Sequence, residues 1–397
     1  MSFPYPTDVV TEGRVSVVVP RLEAFAKKPS DYAPSKAPVF YNPVMEFNRD
    51  FAVLALQTFQ RFVGHELRVC EPLTGCGIRG IRLAREVGGV RKALINDISG
   101  EAYQLAKFNV EENGLADKIV VANEDANLLL SHFGAPRKRF DYIDVDPFGS
   151  PIIYVDSALR ALRRGGLLAL TATDLAPLCG VHPKACMRKY GGRPLRTEYC
   201  HELAIRLLAG ALTRCAAKYS IGIEIVFSHS SEHYVRLYAM VDYGAEKANI
   251  SLKNLGYINH CFACLHREVF VGIANCAQTV CPECGNKMNV AGPLWTGKIF
   301  DEVFVLSMEK ESETKDFRHK KKMRKLLTLS QKEANAPITY YTVDKVCDKF
   351  GFPVPAIDIV ISELKKAGYM AGRTHFNTLG VRTDAPSKIV KEMIAKL

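Results

Sequence analysis

The residues best suited to chemistry in this chain are Asp146, Pro147, Phe148 and Gly149, which follow an apolar strand predicted over Tyr142–Val145. A carboxylate and nearby backbone carbonyls can accept hydrogen bonds from the exocyclic amine of a nucleic-acid base, and the proline stiffens the turn. The aromatic ring beside them can stack on a base that has been extruded from its neighbours. An Asp-Pro pair after a strand is also an ordinary turn, so the tetrapeptide by itself leaves both interpretations open.

A glycine-rich turn lies upstream, in the segment Leu67–Gly80. A short apolar strand there leads into the spacing Glu71-x-x-x-Gly75-x-Gly77, and a predicted helix follows with Arg79 in its first turn. Glycine permits the backbone angles and the close approach that a nucleotide-like ligand needs. The turn alone is a weak signal, but its position after a strand predicts one wall of a nucleotide-like site.

Acids follow the next predicted strands in the same way. Asp97 ends the second strand and Asp125 follows the third, while Asp146 closes the fourth. An acid after the second strand of an α/β sheet typically binds ribose hydroxyls. Asp125 can accept from an adenine amine, and the next residue, Ala126, can pack on the ring. Because the carboxyl ends of parallel strands meet at one edge of a sheet, these acids and the glycine turn predict one crevice. Unrelated surface acids are the alternative.

Four cysteines form two Cys-x-x-Cys pairs, Cys261 with Cys264 and Cys281 with Cys284. Two such knuckles can face each other around one tetrahedral ion, which is the zinc-ribbon pattern. Gly285 suits the tight turn that closes the second knuckle. Since four thiolates complete a closed site, we expect a structural zinc ion without a catalytic water. Two separate redox motifs are the alternative.

The other cysteines are scattered through mostly apolar segments, and we interpret them as small core residues. They are Cys70, Cys76, Cys179, Cys186, Cys200, Cys215, Cys276 and Cys347. The first residues lack the basic and apolar regions of a secretory signal, so reduced thiols and a cytoplasmic location are expected. No run of eighteen apolar residues occurs, and no membrane span is expected. The net charge of +11 favours a polyanionic partner, with nucleic acid ahead of a membrane surface.

The order of elements predicts three regions. A predicted strand at Arg14–Pro20, a loop at Lys28–Pro38 and a helix at Pro43–Phe62 make up the first. The second alternates strands and helices, as in a doubly wound sheet that ends in a hairpin. The third carries the four cysteines and a tail with two helices and a two-stranded wing, which is similar to a winged-helix module. The regions are residues 1–66, 67–245 and 246–397.

Several longer motifs identify a family. They are VFYNPVMEFNRD, GCGIRG, NDIS, DPFGSP, ATDLAPLCGVHPKACMRKYGG and RTHF. From Thr11 to about Pro386 the chain resembles the archaeal tRNA guanine-26 N2-dimethyltransferases. The resemblance implies an α/β fold: a class I, Rossmann-like S-adenosylmethionine-dependent methyltransferase domain, then a C-terminal α+β domain with a zinc-ribbon-like segment and a winged-helix-like tail. It also implies transfer of two methyl groups to the exocyclic N2 of guanosine 26. Several members lack the four cysteines, so the zinc prediction depends on their spacing alone.

The resemblance also implies roles for individual residues. The donor-binding set is Arg49, Gly75, Gly77, Arg79, Asp97, Asp125 and Ala126, and the catalytic set is Asp146, Phe148 and Phe40. Asp146 would hold the guanine amine, and the two phenylalanines would sandwich the flipped base. The alternative for Phe40 is a buried anchor of the N-terminal loop. For Arg49 it is a surface ion pair.

Several basic residues are candidates for contact with tRNA. They are Arg188, Lys189, Arg193, the run Arg318–Lys325, Arg373 and His375. A solvated helix face is the alternative for the run. The expected partner is therefore tRNA, with no membrane, and the protein is expected to be a monomer.

Two other functions fit part of the pattern. A methyltransferase acting on adenine N6 shares the donor site, but its motif usually has a second proline, whereas Gly149 follows Phe148 here. A non-enzymatic RNA-binding module could retain the zinc knuckles and the wing. The intact glycine turn and the strand-end acids argue against that second alternative.

Overall fold

The computed structural model describes residues 3–26, 33–273 and 279–397. The predicted loop Lys28–Pro38 lies partly, and Cys276 wholly, outside the described residues. Residue contacts divide the chain into two compact units. Unit one comprises Met1–Pro147, Tyr154–Leu170 and Ser307–Lys322, and unit two comprises Phe148–Ile153, Thr171–Leu306 and Met323–Leu397. The three regions bounded at residues 66 and 245 stay a prediction.

The elements of the described residues are numbered in chain order. The strands are β1 (Thr7–Glu12), β2 (Val15–Pro20), β3 (Leu67–Glu71), β4 (Val90–Asn96), β5 (Ile119–Ala122), β6 (Phe140–Val145), β7 (Leu162–Ala172), β8 (Ile221–Ser231), β9 (Tyr234–Tyr243), β10 (Leu255–His260), β11 (Arg267–Val271), β12 (Asn289–Trp295), β13 (Tyr341–Thr342), β14 (Ala371–Arg373) and β15 (Gly380–Thr383). The helices are α1 (Glu46–Val63), α2 (Ile78–Glu86), α3 (Gly100–Glu112), α4 (Ala126–His132), α5 (Ile152–Ala161), α6 (Leu175–Leu178), α7 (Pro183–Tyr190), α8 (Cys200–Ala217), α9 (Ala245–Lys253), α10 (Glu302–Glu313), α11 (Lys320–Glu333), α12 (Val343–Phe350), α13 (Ile357–Lys366) and α14 (Ser387–Ala395).

A parallel sheet forms the centre of unit one, with strand order β5-β4-β3-β6-β7. Every residue of β6 is buried, as expected for a parallel strand covered on both faces. From β3 the chain moves outward to β4 and β5, then returns to β6 on the other side of β3. The strand order therefore reverses between β3 and β6, and ligands of such sheets bind at the carboxyl ends beside this point. The predicted α/β class with a central parallel sheet is confirmed.

The N-terminal residues of unit one form an antiparallel hairpin of β1 and β2. Only β2 is predicted from the sequence. Asn109 of α3 fixes the hairpin, since its amide accepts from the Val18 N–H at 2.8 Å and donates to the Val18 carbonyl at 2.9 Å. The same amide donates to the carbonyl of Cys76 at 2.9 Å. Through this one side chain the hairpin is held to the glycine-rich turn.

Unit two contains the antiparallel hairpin of β8 and β9, a sheet of order β11-β10-β12 and a sheet of order β13-β15-β14. The long helix α8 packs against β8 and β12. In the tail, α12 and α13 agree with the helices predicted over Thr342–Lys349 and Ala356–Ala367 to within one residue at each end. The short strands β14 and β15 lie within the predicted wing Tyr369–Thr383 and pair antiparallel.

A buried ionic cluster joins three elements of unit two. Arg382 of β15 lies between Glu202 of α8 and Glu333 of α11, at 2.9 and 2.7 Å. His375 is 2.9 Å from Glu333, and both side chains are 1% exposed. The prediction that His375 contacts tRNA is therefore wrong, because the imidazole is enclosed and held by a carboxylate.

No helix in the described part of the chain is both long and apolar enough to cross a membrane.

Candidate active site

The glycine-rich turn connects β3 to α2 and depends on two left-handed residues, Gly75 at φ +55° and Gly77 at φ +86°. A Cβ atom on Gly75 would lie 2.8 Å from the carbonyl oxygen of Phe40, so only glycine lets the N-terminal segment come this close. The Asp97 carboxylate, just after β4, accepts from the Gly75 N–H at 2.9 Å. Glu71 accepts from the Thr74 hydroxyl at 2.6 Å. Two acids therefore fix the turn: Glu71, which ends β3, and Asp97, which follows β4.

Arg79 lies at the centre of a group of carboxylates. Its guanidinium is 3.4 Å from Glu71, 3.6 Å from Asp144 and in direct contact with Asp146. It also donates to the Asn48 side chain of α1 at 2.8 Å. The side chain is only 5% exposed. The predicted donor-binding residue Arg79 therefore also orients the strand-end acids, a role that the sequence does not indicate.

Burial raises the pKa of Glu71 to about 8, although the charge of Arg79 opposes that shift. Of the two aspartates that Arg79 also approaches, Asp144 is fully buried and Asp146 is 13% exposed. Asp146 is therefore the carboxyl group at the open end of this cluster.

Asp146 could not bind an amine if it were both enclosed and fully occupied by a basic side chain. It is 13% exposed, and its contact with Arg79 uses Oδ2. A carboxylate has two oxygens and about four acceptor positions. The ion pair therefore fixes the side chain and leaves acceptor capacity, which suits an acid that must hold an amine in one orientation.

Phe148 belongs to unit two and is 67% exposed. The next residue, Gly149, adopts φ +82° and exchanges two hydrogen bonds with Thr173. The Gly149 N–H donates to the Thr173 hydroxyl at 2.7 Å, and the Thr173 N–H donates to the Gly149 carbonyl at 2.9 Å. An exposed ring on a well-fixed turn is suited to stacking on a planar ligand.

Arg49 pairs with Glu12 of β1 at 2.7 Å, and the two side chains are 5% and 2% exposed. Tyr41 also donates to Glu12, at 2.9 Å. The ion pair considered as an alternative role for Arg49 does form, but it is buried and not on the surface. Its partner was missed because β1 was not predicted. The signal that could reveal β1 is its content of β-branched residues, since four of the six residues of Thr7–Glu12 are threonine or valine.

Asp125 caps α4, where one carboxylate oxygen accepts from the N–H groups of Asn127 and Leu128 at 2.9 and 3.0 Å. Ala126 begins the helix and is buried. Burial raises the pKa of Tyr154, on α5, and the charges of Asp125 and Asp97 raise it further. Tyr154, which sequence reasoning did not consider, is therefore a further candidate for this site.

All the predicted donor-site residues belong to unit one. Six of them follow β3, β4 or β5, whereas Arg49 lies on α1. Residues 13–395 match the model of the family described as N2,N2-dimethylguanosine tRNA methyltransferase. The chain belongs to this family. The resemblance inferred from the motifs is confirmed.

Individual relatives agree over nearly the whole chain. A protein of Methanobrevibacter smithii named tRNA (guanine(26)-N(2))-dimethyltransferase is 44% identical over 99% of this chain and 98% of its own length. A protein of Aquifex aeolicus named tRNA (guanine(26)-N(2)/guanine(27)-N(2))-dimethyltransferase is 36% identical over 97% of this chain and 95% of its own. The solved complex of Trm1 from Pyrococcus horikoshii with S-adenosyl-L-methionine aligns with a TM-score of 0.86 and 36% identity, covering 98% of this chain and 99% of that one.

The four clustered cysteines of this family member converge in unit two. Their sulfur atoms all lie within 4.8 Å of one another, and the pairs Cys261–Cys284 and Cys264–Cys281 are each 3.5 Å apart. A tetrahedral zinc site with Zn–S bonds of about 2.3 Å has S–S edges of about 3.8 Å. The residues therefore fit a zinc ion.

The two knuckles have the same backbone geometry. In the first, the Cys261 N–H donates to the His266 carbonyl at 2.8 Å, and Leu265 adopts φ +65°. In the second, the Cys281 N–H donates to the Asn286 carbonyl at 2.8 Å, and Gly285 adopts φ +70°. The predicted turn at Gly285 is confirmed, and a leucine accepts the same strained conformation in the first knuckle.

The predicted tRNA contacts differ in their surroundings. Arg318 reaches Glu46 at 3.1 Å, whereas the first turns of α11 expose Lys321 and Lys325. Lys189 is 44% exposed and lies 3.0 Å from Asp174. Arg188 and Arg193 are exposed, and Arg373 pairs with Asp358 at 2.8 Å.

Proposed function

We propose that this protein transfers two methyl groups from S-adenosylmethionine to the exocyclic N2 of guanosine 26 in tRNA, giving N2,N2-dimethylguanosine by base flipping and direct in-line transfer. The observation that carries the proposal is the 44% identity, over 99% of the chain, with a relative named for this activity. The acids and the glycine turn at the carboxyl ends of one parallel sheet support it.

The donor would supply an electrophilic methyl group on a positively charged sulfur. The proposed donor-binding residues are Arg49, Gly75, Gly77, Arg79, Asp97, Asp125 and Ala126. In the present structure Asp97 and Asp125 each accept from backbone N–H groups, so their carboxylates are already oriented before any ligand binds. Such fixed acceptors can bind ribose and adenine groups without reorganisation.

Asp146 would accept the N–H hydrogens of the guanine amine. That amine is a poor nucleophile because its lone pair is delocalised into the ring. Accepting its hydrogens turns the lone pair toward the methyl group, and the carboxylate offsets the positive charge that develops on the nitrogen. Phe148 and Phe40 would stack on the flipped base, which costs roughly a few kcal/mol to unstack. Arg79 would hold the Asp146 carboxylate in place.

The proposal is tested by incubating the full chain with unmodified tRNA and donor, digesting the product to nucleosides and identifying them by mass spectrometry. We expect N2-methylguanosine and then N2,N2-dimethylguanosine. A tRNA with adenosine at position 26 should give no product. If that tRNA is still methylated and a change at position 27 abolishes the product, the assignment to position 26 is wrong. Formation of N6-methyladenosine would support the alternative activity instead.

We further propose that Cys261, Cys264, Cys281 and Cys284 hold a structural zinc ion. Cys281→Ser should lower the zinc content by about one ion per chain, because three thiolates bind the metal much less tightly than four. Mass spectrometry of the metal in dialysed protein measures this, with Cys215→Ser as the matched control. An unchanged zinc content in Cys281→Ser would contradict the site.

The basic run Arg318–Lys325 is proposed to contact the tRNA backbone. Lys321→Glu and Lys325→Glu should each weaken binding of all tRNAs alike and reduce the slope of log K against log salt by about 0.7–0.9. Titrations at several salt concentrations measure the slope. Lys92→Glu, which changes an exposed lysine near the amino end of β4, is the control. If the run variants and the control share one slope, the run is only a solvated helix face.

We also propose that residues 246–397 bind tRNA and contain a zinc-ribbon-like segment and a winged-helix-like tail. A monomer in the cytoplasm stays a prediction from the sequence.

A further inference from the structure

A second cluster of metal-ligating side chains lies in unit two, separate in sequence from the four cysteines of the zinc-ribbon-like segment. The ligand atoms of Cys179, Cys200 and His201 all lie within 4.8 Å of one another. Cys179 is 8% exposed, and the other two are partly buried. The sequence predicts both cysteines as isolated core thiols. The structure instead brings them together beside an imidazole.

The backbone is built to hold this cluster together. Cys179 follows α6, and the next residue, Gly180, adopts φ +87°. A Cβ atom on Gly180 would lie 2.7 Å from the backbone nitrogen of Arg196 and 2.8 Å from the carbonyl carbon of Leu195. Only glycine permits such an approach, which places Cys179 next to the segment that enters α8. The first two residues of α8 complete the cluster.

The ligand types are those that zinc prefers. Two sulfurs and one imidazole nitrogen form a soft donor set, and three protein ligands plus one water is a known arrangement for zinc. In a tetrahedral site the sulfurs would be about 3.8 Å apart, which the observed limit of 4.8 Å allows with a small adjustment. The Cys179 thiol now donates to the carbonyl of Cys200 at 3.6 Å. Binding an ion would release both thiol protons and replace that contact.

We propose that Cys179, Cys200 and His201 bind a second thiophilic divalent cation, with Zn²⁺ as the expected ion and water at the fourth position. The ion would join the end of α6 to the start of α8 and close a loop of chain that contains α7. Within that loop Tyr190 and Lys189 hold Asp174, with Tyr190 donating at 2.5 Å. The ion would therefore fix both ends of the segment that follows β7.

The test is the metal content of the full chain, purified under reducing conditions, dialysed against excess Zn²⁺ and then freed of unbound metal. Cys179→Ser and His201→Asn should each carry about one zinc ion per chain less than the wild type. Cys215→Ser should equal the wild type. Because the zinc-ribbon-like site also contributes, Cys281→Ser should lower the content independently, and the Cys179→Ser/Cys281→Ser double variant should lose about two ions.

A second measurement separates loss of the metal from misfolding of a variant. Replacing zinc by Co²⁺ in the wild type should give thiolate-to-cobalt charge-transfer bands whose intensity is the sum of the contributions of both metal sites. His201→Asn should show weaker bands while its circular dichroism spectrum is unchanged. Equal zinc content in the wild type, Cys179→Ser and His201→Asn would overturn the proposal. So would a Cys179–Cys200 disulfide found by mass spectrometry in protein kept under reductant.

Discussion

Asp146→Ala is expected to lower the rate of methyl transfer by about 10²–10³, because one preorganised acceptor at a developing charge contributes that much. Binding of S-adenosylmethionine should persist, since Asp146 is not among the proposed donor contacts. Arg79, a proposed donor contact that touches Asp146, keeps Asn48, Glu71 and Asp144 as partners. Asp146→Asn should be almost as slow. The asparagine NH₂ group would face either the Arg79 guanidinium or the guanine amine, and in both cases one donor opposes another. The neutral amide also cannot offset the positive charge that develops on the guanine nitrogen. Single-turnover methylation of tRNA and calorimetry with the donor separate the two effects.

The matched control is Asp117→Ala, which removes an exposed carboxylate from the loop before β5 and should leave the rate unchanged. Normal turnover by Asp146→Ala would remove Asp146 from the mechanism. Loss of donor binding together with turnover would assign the residue to the donor site. Stability should change little in Asp146→Ala, because Arg79 keeps Glu71 and Asp144 as partners.

The glycine turn shows how far local sequence rules reach. Its spacing predicted the turn, and the positive φ angles of Gly75 and Gly77 confirm it. The reason that position 75 must be glycine is not local. It is the carbonyl oxygen of Phe40, which lies 35 residues away in the chain and 2.8 Å from a Cβ atom at that position. The sequence pattern predicts the backbone conformation of the turn, but it does not identify the distant backbone atom that excludes a side chain at position 75.

Arg79 illustrates the same limit for charges. On its helix it could be a donor-binding residue or a surface cation, and periodicity cannot choose between these. Its partners come from two paired strands: Glu71 ends β3, Asp144 lies in β6 and Asp146 follows β6 directly. Only that pairing brings the carboxylates to one guanidinium. The strand-end acids were predicted to converge, but the cation that offsets their repulsion was not identified.

The metal-ligating residues divide in a similar way. The Cys-x-x-Cys spacing predicted the four-sulfur cluster because each pair is local. Cys179 and Cys200 are 21 residues apart with no repeating pattern, so their approach is visible only in the folded chain. His375 was misassigned for the same reason, since the carboxylate that holds it, Glu333, is 42 residues earlier.

Arg382→Met should lower the free energy of unfolding by about 3–5 kcal/mol, because removing one member of a buried ionic cluster leaves uncompensated charge. Arg382 joins Glu202 and Glu333, which are 0% and 1% exposed. It also donates to the backbone carbonyls of Pro337 and Thr339 at 2.8 and 3.1 Å. The free energy of unfolding of Arg382→Lys should lie between those of the wild type and Arg382→Met. An ammonium retains the charge but cannot bridge both acids with the same geometry.

Urea unfolding followed by circular dichroism measures the difference. Arg373→Met is the matched control, on the paired strand β14. Its ion pair with Asp358 is largely exposed, with side chains 39% and 78% accessible, so its loss should cost less than about 1 kcal/mol. Equal midpoints for Arg382→Met and Arg373→Met would contradict a stabilising role for the buried cluster.

The pH dependence of stability provides an independent check on the same cluster. Burial would raise the pKa of Glu333, but the charges of His375 and Arg382 prevail and lower it to about 2 from an ordinary value of 4.5. A carboxyl with a lowered folded-state pKa stabilises the protein above its unfolded pKa, and this contribution is lost as pH falls from about 4.5 to about 2. In Arg382→Met the folded-state pKa of Glu333 should rise, because one of the two cations is gone. The acid-induced loss should still begin near pH 4.5, but it should be complete at a higher pH and be smaller than in the wild type. Arg373→Met should keep the wild-type profile.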